Sequence, residues 1–371
     1  MNQLILRPSI HHFSDCQEFV SEFRLSAADM VLTNEYIYTP HFGKLNLPVR
    51  TIFQEKYGSG EPTDTMIEAI IRDAELDKCS RIIAIGGGTV IDIAKILAVA
   101  DTDNLDSLYE KGLNLHRYRE LVIVPTTCGT GSEVTNIAVV NRTRLGVKMG
   151  LVSEDMYATD AVLIPELLTG LPYSVFATSS IDALIHAVES SLSPKATPYS
   201  KLFGYKAIEM ILNGYQKIVA NGPDARLNLL DDFLIASNFA GLAFSQAGCA
   251  AVHALSYPLG GTYHVAHGES NYAVFTGVMK NYMEIKNDGE IENMNRFLAE
   301  ILHCTMDSVY NELEKLMNQI LPKKALHEYG VTPEDLISFT HNVMETQGRL
   351  MANNFVKLDK ERVYKIYREL Y

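Results

Sequence analysis

Two stretches of the chain carry side chains that could hold a cation. In TSSIDALIHAVES, Asp182 and His186 stand at i and i+4, so on a helix both leave the same face one turn apart. In AVHALSYPLGGTYHVAHG, His253 and His267 are separated by Pro258, Gly260 and Gly261, which points to two segments folded back on each other rather than one uninterrupted helix. Three neutral imidazoles and one carboxylate suit a borderline divalent ion such as Fe²⁺ or Zn²⁺, and a set without thiolate leaves that ion net positive charge and Lewis acidity. Such a set is catalytic rather than structural. The spacing alone is a weak signal, since an isolated histidine is more often a core or surface residue.

Two further stretches could hold phosphate. After the apolar run RIIAI come Gly86, Gly87, Gly88 and Thr89, then Asp92 and Lys95 in what reads as the first turns of a helix. Glycines between a strand and a helix let a phosphate approach backbone N–H groups at the positive end of the helix dipole. The pattern is neither G-x-G-x-x-G nor a Walker A loop, and a tight strand-to-helix turn explains a bare glycine triplet equally well. After LVIV comes PTTCGTGSE, where Thr126, Thr127 and Ser132 offer hydroxyls at the strand ends where α/β sheets bind ligands. Cys128 in this loop has no evident partner base and reads as a small residue against close-packed backbone.

The elements that must position these groups follow from apolar patterning. Residues 30–33 (MVLT), 81–85 and 121–124 read as buried parallel strands, and residues 64–76 as a helix with a stripe at Met66, Ile67, Ile70 and Ile71. Strand and helix alternate up to about residue 165, which predicts an α/β domain over 1–174 built on a parallel sheet and carrying both candidate phosphate loops. Pro165 and Pro172 flank the expected connection. Beyond it, residues 175–190, 199–220, 227–247, 291–302, 307–320, 332–348 and 360–370 have helical spacing or composition, which predicts an all-α metal-binding and substrate domain over 175–371. Two cores with a cleft between them would set the candidate metal ligands opposite the candidate phosphate loops.

With 371 residues, 47% of them hydrophobic, the chain can bury two sizeable cores. Its 32 basic and 45 acidic residues give a net charge of −13, which disfavours nucleic acid and anionic membranes as partners. No membrane span or secretory segment is expected. Five cysteines without a C-x-x-C pair fit reduced thiols and a cytoplasmic location.

Taken in order, GGGTVIDIAK, PTTCGTGSEVTN, DALIHAVES and VHALSYPLGGTYHVAHG resemble the iron-containing (group III) alcohol dehydrogenases. The resemblance covers about residues 30–275. It implies the fold shared by that family and dehydroquinate synthase, and hydride transfer between NAD and a primary alcohol/aldehyde pair. It further implies Asp182, His186, His253 and His267 as ligands of the metal, Gly86–Thr89 as the pyrophosphate loop, and Asp92, Thr126, Thr127 and Ser132 as further dinucleotide contacts. His267 then counts as catalytic as well as metal-binding.

Two positions depart from the family's pattern. Where the family usually has a histidine four residues after the first loop ligand, suspected of proton transfer, this chain has Tyr257; a phenol can take that part, with His264 as a substitute. Where many members have an aspartate for the adenosine ribose, it has Asn34, an amide that does not repel a 2′-phosphate; Glu35 next door could. NAD is favoured over NADP on that basis. A carboxylated substrate would need a cation or donor, and Lys148 is one candidate among several. Rivals are a polyol dehydrogenase, a lyase using NAD transiently, a metallohydrolase and a nucleotide sensor. A homo-oligomer, dimer or higher, is expected, although no residue pattern marks its interface.

Overall fold

The computed structural model describes residues 3–371. These divide into an α/β unit, Leu6–Leu171, and a helical unit made by Pro172–Tyr371 with residues 3–5.

The α/β unit is built on a six-stranded sheet of β1 (Ser9–His12), β2 (Asp29–Thr33), β3 (Arg50–Phe53), β4 (Arg81–Gly86), β5 (Glu120–Pro125) and β8 (Asp160–Leu163). Their spatial order is β1-β8-β5-β4-β2-β3, and every pairing is parallel. Its helices are α1 (Cys16–Phe23), α2 (Glu35–Phe42), α3 (Asp64–Asp73), α4 (Gly88–Val99) and α5 (Leu105–Lys111). Strands β2 and β4 are buried almost throughout, as expected of parallel strands covered on both faces. Met30, Leu32, Ile82, Ala84, Leu121 and Ile123 pack with Ile67 and Ile70 of α3 and with Ile91, Ala94 and Leu97 of α4. Each large side chain so buried contributes roughly 1.5–3 kcal/mol.

Register decides what the sheet presents. Gly86 pairs with Pro125 and Thr33 with Ile85, so the chain leaves β2, β4 and β5 at one level. The loops following Thr33, Gly86 and Pro125 are therefore neighbours at the carboxyl edge. An antiparallel hairpin of β6 (Ile137–Arg142) and β7 (Val147–Val152) was not anticipated from sequence, nor were β1, β3 and β8.

The helical unit contains α6 (Tyr173–Leu192), α7 (Pro198–Asn221), α8 (Leu230–Ala247), α9 (Ala251–Tyr263), α10 (His267–Ile285), α11 (Glu290–Leu302), α12 (Val309–Ile320), α13 (Pro333–Thr346), α14 (Gly348–Met351) and α15 (Lys360–Leu370). No strand occurs in it among the described residues. Helix α6 packs against α7, α8 and α10 and is continuously buried from Ser180 to Leu192, so it is enclosed all round rather than amphipathic. Pro223–Ala247 is long and apolar enough to cross a membrane, and 56% of that window is buried within the protein.

Candidate active site

Helix α6 brings polar side chains into the interior of the helical unit. Asp182, His186 and Glu189 follow one another at i, i+4 and i+7 along it. His253 lies in the first turn of α9 and His267 opens α10, and the two helices are separated by residues 264–266. They are thus two segments folded back on each other. The break is not at Pro258, which α9 carries internally, but at His264, which ends α9 in the left-handed conformation and is exposed.

Asp182, His186, His253 and His267 each offer a ligand atom, and all four atoms lie within 4.8 Å of one another. Asp182 Oδ2 is 3.8 Å from His186 Nδ1, while its Oδ1 is 3.6 Å from His253 Nε2 and 3.7 Å from His267 Nε2. These separations are too long for hydrogen bonds. They match donors sharing an ion, since ligand bonds of ~2.1 Å at tetrahedral angles set donor atoms roughly 3.4 Å apart. His253 Nε2 is moreover buried without a hydrogen-bond partner, an orphaned lone pair that a cation satisfies. The donors therefore fit Fe²⁺ or Zn²⁺. The site is also open on one side: the His267 side chain is 33% exposed, against 3–7% for the other three.

Close packing holds these groups together. His186 stacks between Phe244, at 4.4 Å between ring centroids, and His253, at 4.6 Å. A Cβ on Gly268 would lie 1.9 Å from the carbonyl oxygen of Thr178 on α6. Only glycine lets α10 approach α6 this closely, and that approach carries His267 to Asp182. Asn271, one turn further on, donates to Asp182 Oδ1 at 2.7 Å and lies 3.3 Å from His267 Nε2.

Sequence reasoning missed Glu189. Its Oε2 accepts from His253 Nδ1 at 2.6 Å and from Ala250 N at 3.1 Å, and its Oε1 accepts from Val252 N at 2.6 Å. One buried carboxylate thus fills the N-terminus of α9 and keeps the His253 proton on Nδ1, leaving Nε2 as the donor. The signal was there, seven residues after Asp182, but its partners lie more than sixty positions away. Burial pushes Asp182 up, yet the charges of His186 and His267 outweigh it and hold the carboxyl well below its usual range. Burial also raises the Cys249 thiol, but His253 and His186 bring it down to about 7.

In the α/β unit, the first turn of α4 follows Gly87 with no side chain capping it, leaving N–H groups available to an anion. A Cβ on Gly86 would sit 2.6 Å from the Val90 Cβ, and one on Gly88 would sit 3.1 Å from Thr130 Cγ2, so Gly86 allows the tight turn from β4 into α4 and Gly88 the close approach of the second loop. Thr126 is buried and its N–H donates to Gly86 O, whereas Thr127 is half-buried. The Thr89 hydroxyl donates to Gly60 O at 2.9 Å. Asp92 accepts from the Ser132 hydroxyl and from Val139 N, both at 2.9 Å, and Lys95 donates to Ser132, Thr135 and Ile137 O. These three residues lock the second loop onto α4; burial draws the Lys95 ammonium down to about 8. Lys148 is on the hairpin, paired with Glu61 at 2.6 Å.

The family model for iron-containing alcohol dehydrogenase matches residues 17–165, and the C-terminal model of the same family matches residues 176–371. The chain belongs to the iron-containing alcohol dehydrogenase family. Among relatives within it, 4-hydroxybutyrate dehydrogenase of Clostridium kluyveri is 48% identical over 371 residues, the whole of both chains. Sulfoacetaldehyde reductase of Bilophila wadsworthia is 31% identical over 312 residues, 79% of this chain and 77% of that one. Of solved structures, sulfoacetaldehyde reductase from Bifidobacterium kashiwanohense in complex with NAD⁺ superposes with a TM-score of 0.84 at 21% identity, covering 100% of this chain and 98% of that one. A 1,3-propanediol oxidoreductase superposes with a TM-score of 0.83 at 22% identity over 100% of both. At such identities the superpositions speak for the fold of this iron-containing dehydrogenase, not for its substrate.

Proposed function

We propose that the chain interconverts 4-hydroxybutyrate and succinate semialdehyde by hydride transfer to and from NAD, with 1–174 acting as dinucleotide-binding domain and 175–371 as metal-binding and substrate domain. The observation that carries the reading is the cluster of Asp182, His186, His253 and His267 with one accessible face, in a chain 48% identical along its whole length to a 4-hydroxybutyrate dehydrogenase. A divalent ion held by these four residues supplies Lewis acidity, favouring ionisation of a substrate hydroxyl in one direction and polarising a carbonyl in the other.

The remaining work falls to the chain's own residues. Gly86–Thr89, Thr126 and Thr127 receive the pyrophosphate at the uncapped end of α4, while Asp92, Ser132 and Lys95 keep the loops in place. Asn34 closes the adenosine ribose corner. Tyr257, half-buried with its ring centroid 6.1 Å from that of His267, relays the proton leaving the alcohol, its phenol oxygen accepting that proton as its own O–H proton passes to water. His264 faces away from this duty, as the exposed residue that terminates α9. Lys148, already paired with Glu61, is set aside as the anchor of the distal carboxylate. The enzyme is proposed to act as a cytoplasmic homo-oligomer, and the five free cysteines support a reducing compartment.

The test is NADH consumption by the Fe²⁺-loaded protein with succinate semialdehyde, beside butyraldehyde, glyceraldehyde and NADPH. Selective use of succinate semialdehyde supports the substrate. Equal use of butyraldehyde or glyceraldehyde would place the enzyme among the broader butanol, 1,3-propanediol or glycerol dehydrogenases, and no use of either cofactor would remove the dehydrogenase reading.

A further inference from the structure

In sheets of this type an acidic side chain at the end of the strand beside the glycine strand binds the ribose 2′-hydroxyl and repels a 2′-phosphate. Here that strand is β2, next to β4, and the residue after it is Asn34, which carries no charge. Asn34 is the N-cap residue of α2, yet it makes no side-chain cap hydrogen bond. Its buried amide turns to the neighbouring strand instead: Nδ2 donates to Glu55 Oε2 at 2.9 Å and to Gln54 Oε1 at 3.2 Å. The other carboxylate oxygen, Glu55 Oε1, accepts from the Glu35 N–H at 2.6 Å. Glu55 follows β3, is exposed, and has no ion-pair partner among the described residues.

We propose that Glu55, reaching across from the next strand and held by Asn34 and Glu35, is the residue that selects NAD over NADP. The inference rests on the NAD reading above. The carboxylate missing from the end of β2 is supplied from the end of β3, and two donors fix it at the start of α2 while its remaining lone pairs stay open to solvent. Those lone pairs accept the ribose 2′-hydroxyl, and the same unneutralised charge opposes a 2′-phosphate. Glu35, the acid adjacent in sequence, contributes its backbone N–H to hold Glu55; its own carboxylate has no such fixing.

The probes are NADH and NADPH, whose dissociation constants are read from nicotinamide fluorescence on the metal-loaded full-length chain and on Glu55→Gln, Glu35→Gln and the double variant Asn34→Asp/Glu55→Gln. The unaltered chain is expected to prefer NADH on the order of 100-fold, as expected for a fixed charge beside a phosphate. Glu55→Gln should lose most of that preference, chiefly by tighter NADPH binding. The double variant, which returns the acid to β2, should regain it, and this regain excludes simple misfolding as the cause. A ratio unchanged by Glu55→Gln, or changed only by Glu35→Gln, overturns the assignment of Glu55. Failure of the unaltered chain to bind either dinucleotide would instead overturn the cofactor reading itself.

Discussion

Replacing Glu189 by glutamine tests how the metal centre is held. The carboxylate accepts three hydrogen bonds from buried donors, at 2.6, 2.6 and 3.1 Å. A carboxamide has one acceptor oxygen. If that oxygen keeps Val252 N, the amide NH₂ faces His253 Nδ1, which can remain in contact only by giving up its proton. The proton then sits on Nε2, the atom facing Asp182, and the ligand lone pair is lost. If the amide turns over, a buried Val252 N–H is stranded at a cost of about 1–3 kcal/mol and His253 loses the negative partner that makes it a stronger donor. Either way the affinity for Zn²⁺ or Co²⁺ should fall roughly 10–100-fold, which corresponds to about 1.4–2.8 kcal/mol. Competition against a chromophoric chelator measures it, with denaturant unfolding in parallel to read the stability of the α9 N-terminus. If Glu189→Gln held the ion as tightly as the unaltered protein while Asp182→Asn did not, the account of His253 as a ligand oriented by Glu189 would be wrong.

Substitutions at three other positions probe separate parts of the molecule. Gly268→Ala drives a methyl group into the Thr178 carbonyl, so α10 must retreat from α6; a loss of about 1–3 kcal/mol in stability is expected together with weaker metal binding, and unchanged metal affinity would show that His267 is not placed by this contact. Tyr257→Phe should lower kcat by about 100-fold or more with little change in KM or metal content, and Tyr257→His should recover part of the loss; a Phe variant with full kcat would remove the phenol from proton transfer. In the α/β unit, Asp64 is raised by burial but held below its usual range by the Thr143 hydroxyl and by backbone N–H groups, and Glu68 is lowered by Arg144. A folded-state pKa below the unfolded one stabilises above the unfolded value and fades as pH falls through the folded one. Asp64→Asn should therefore cost about 1–3 kcal/mol at neutral pH, narrowing below about pH 4, and a gap constant across that range in urea melts would contradict the assignment.

What could be read from the chain alone follows from the range of the interactions. Asp182 and His186 are four residues apart on one helix, and Gly86–Gly88 directly follow a buried strand, so local spacing exposed both. The strands at residues 30–33, 81–85 and 121–124 were legible because both faces are covered and their runs are continuously apolar. Strand β1 (SIHH) is mostly exposed and short, and so carries no such pattern. The hairpin β6–β7 alternates only loosely and packs partly on α4, which local periodicity does not reveal. Glu189 and Glu55 escaped for a different reason. Each is an ordinary acidic residue in its own segment, and its meaning comes from partners on another element: the first turn of α9 for Glu189, the start of α2 for Glu55. The family resemblance pointed to the ligand set but not to these supports, since each is made by hydrogen bonds between residues distant in sequence.

The central claim is that Asp182, His186, His253 and His267 form a single catalytic metal centre. Its most direct test is elemental analysis of the purified chain after Fe²⁺ or Zn²⁺ loading, with NADH oxidation by succinate semialdehyde measured on the same samples. One ion per chain is expected, with activity that disappears with chelation and returns with the ion, and neither ion nor activity in Asp182→Ala. Full activity in metal-free protein, or a full complement of metal in Asp182→Ala, would contradict it.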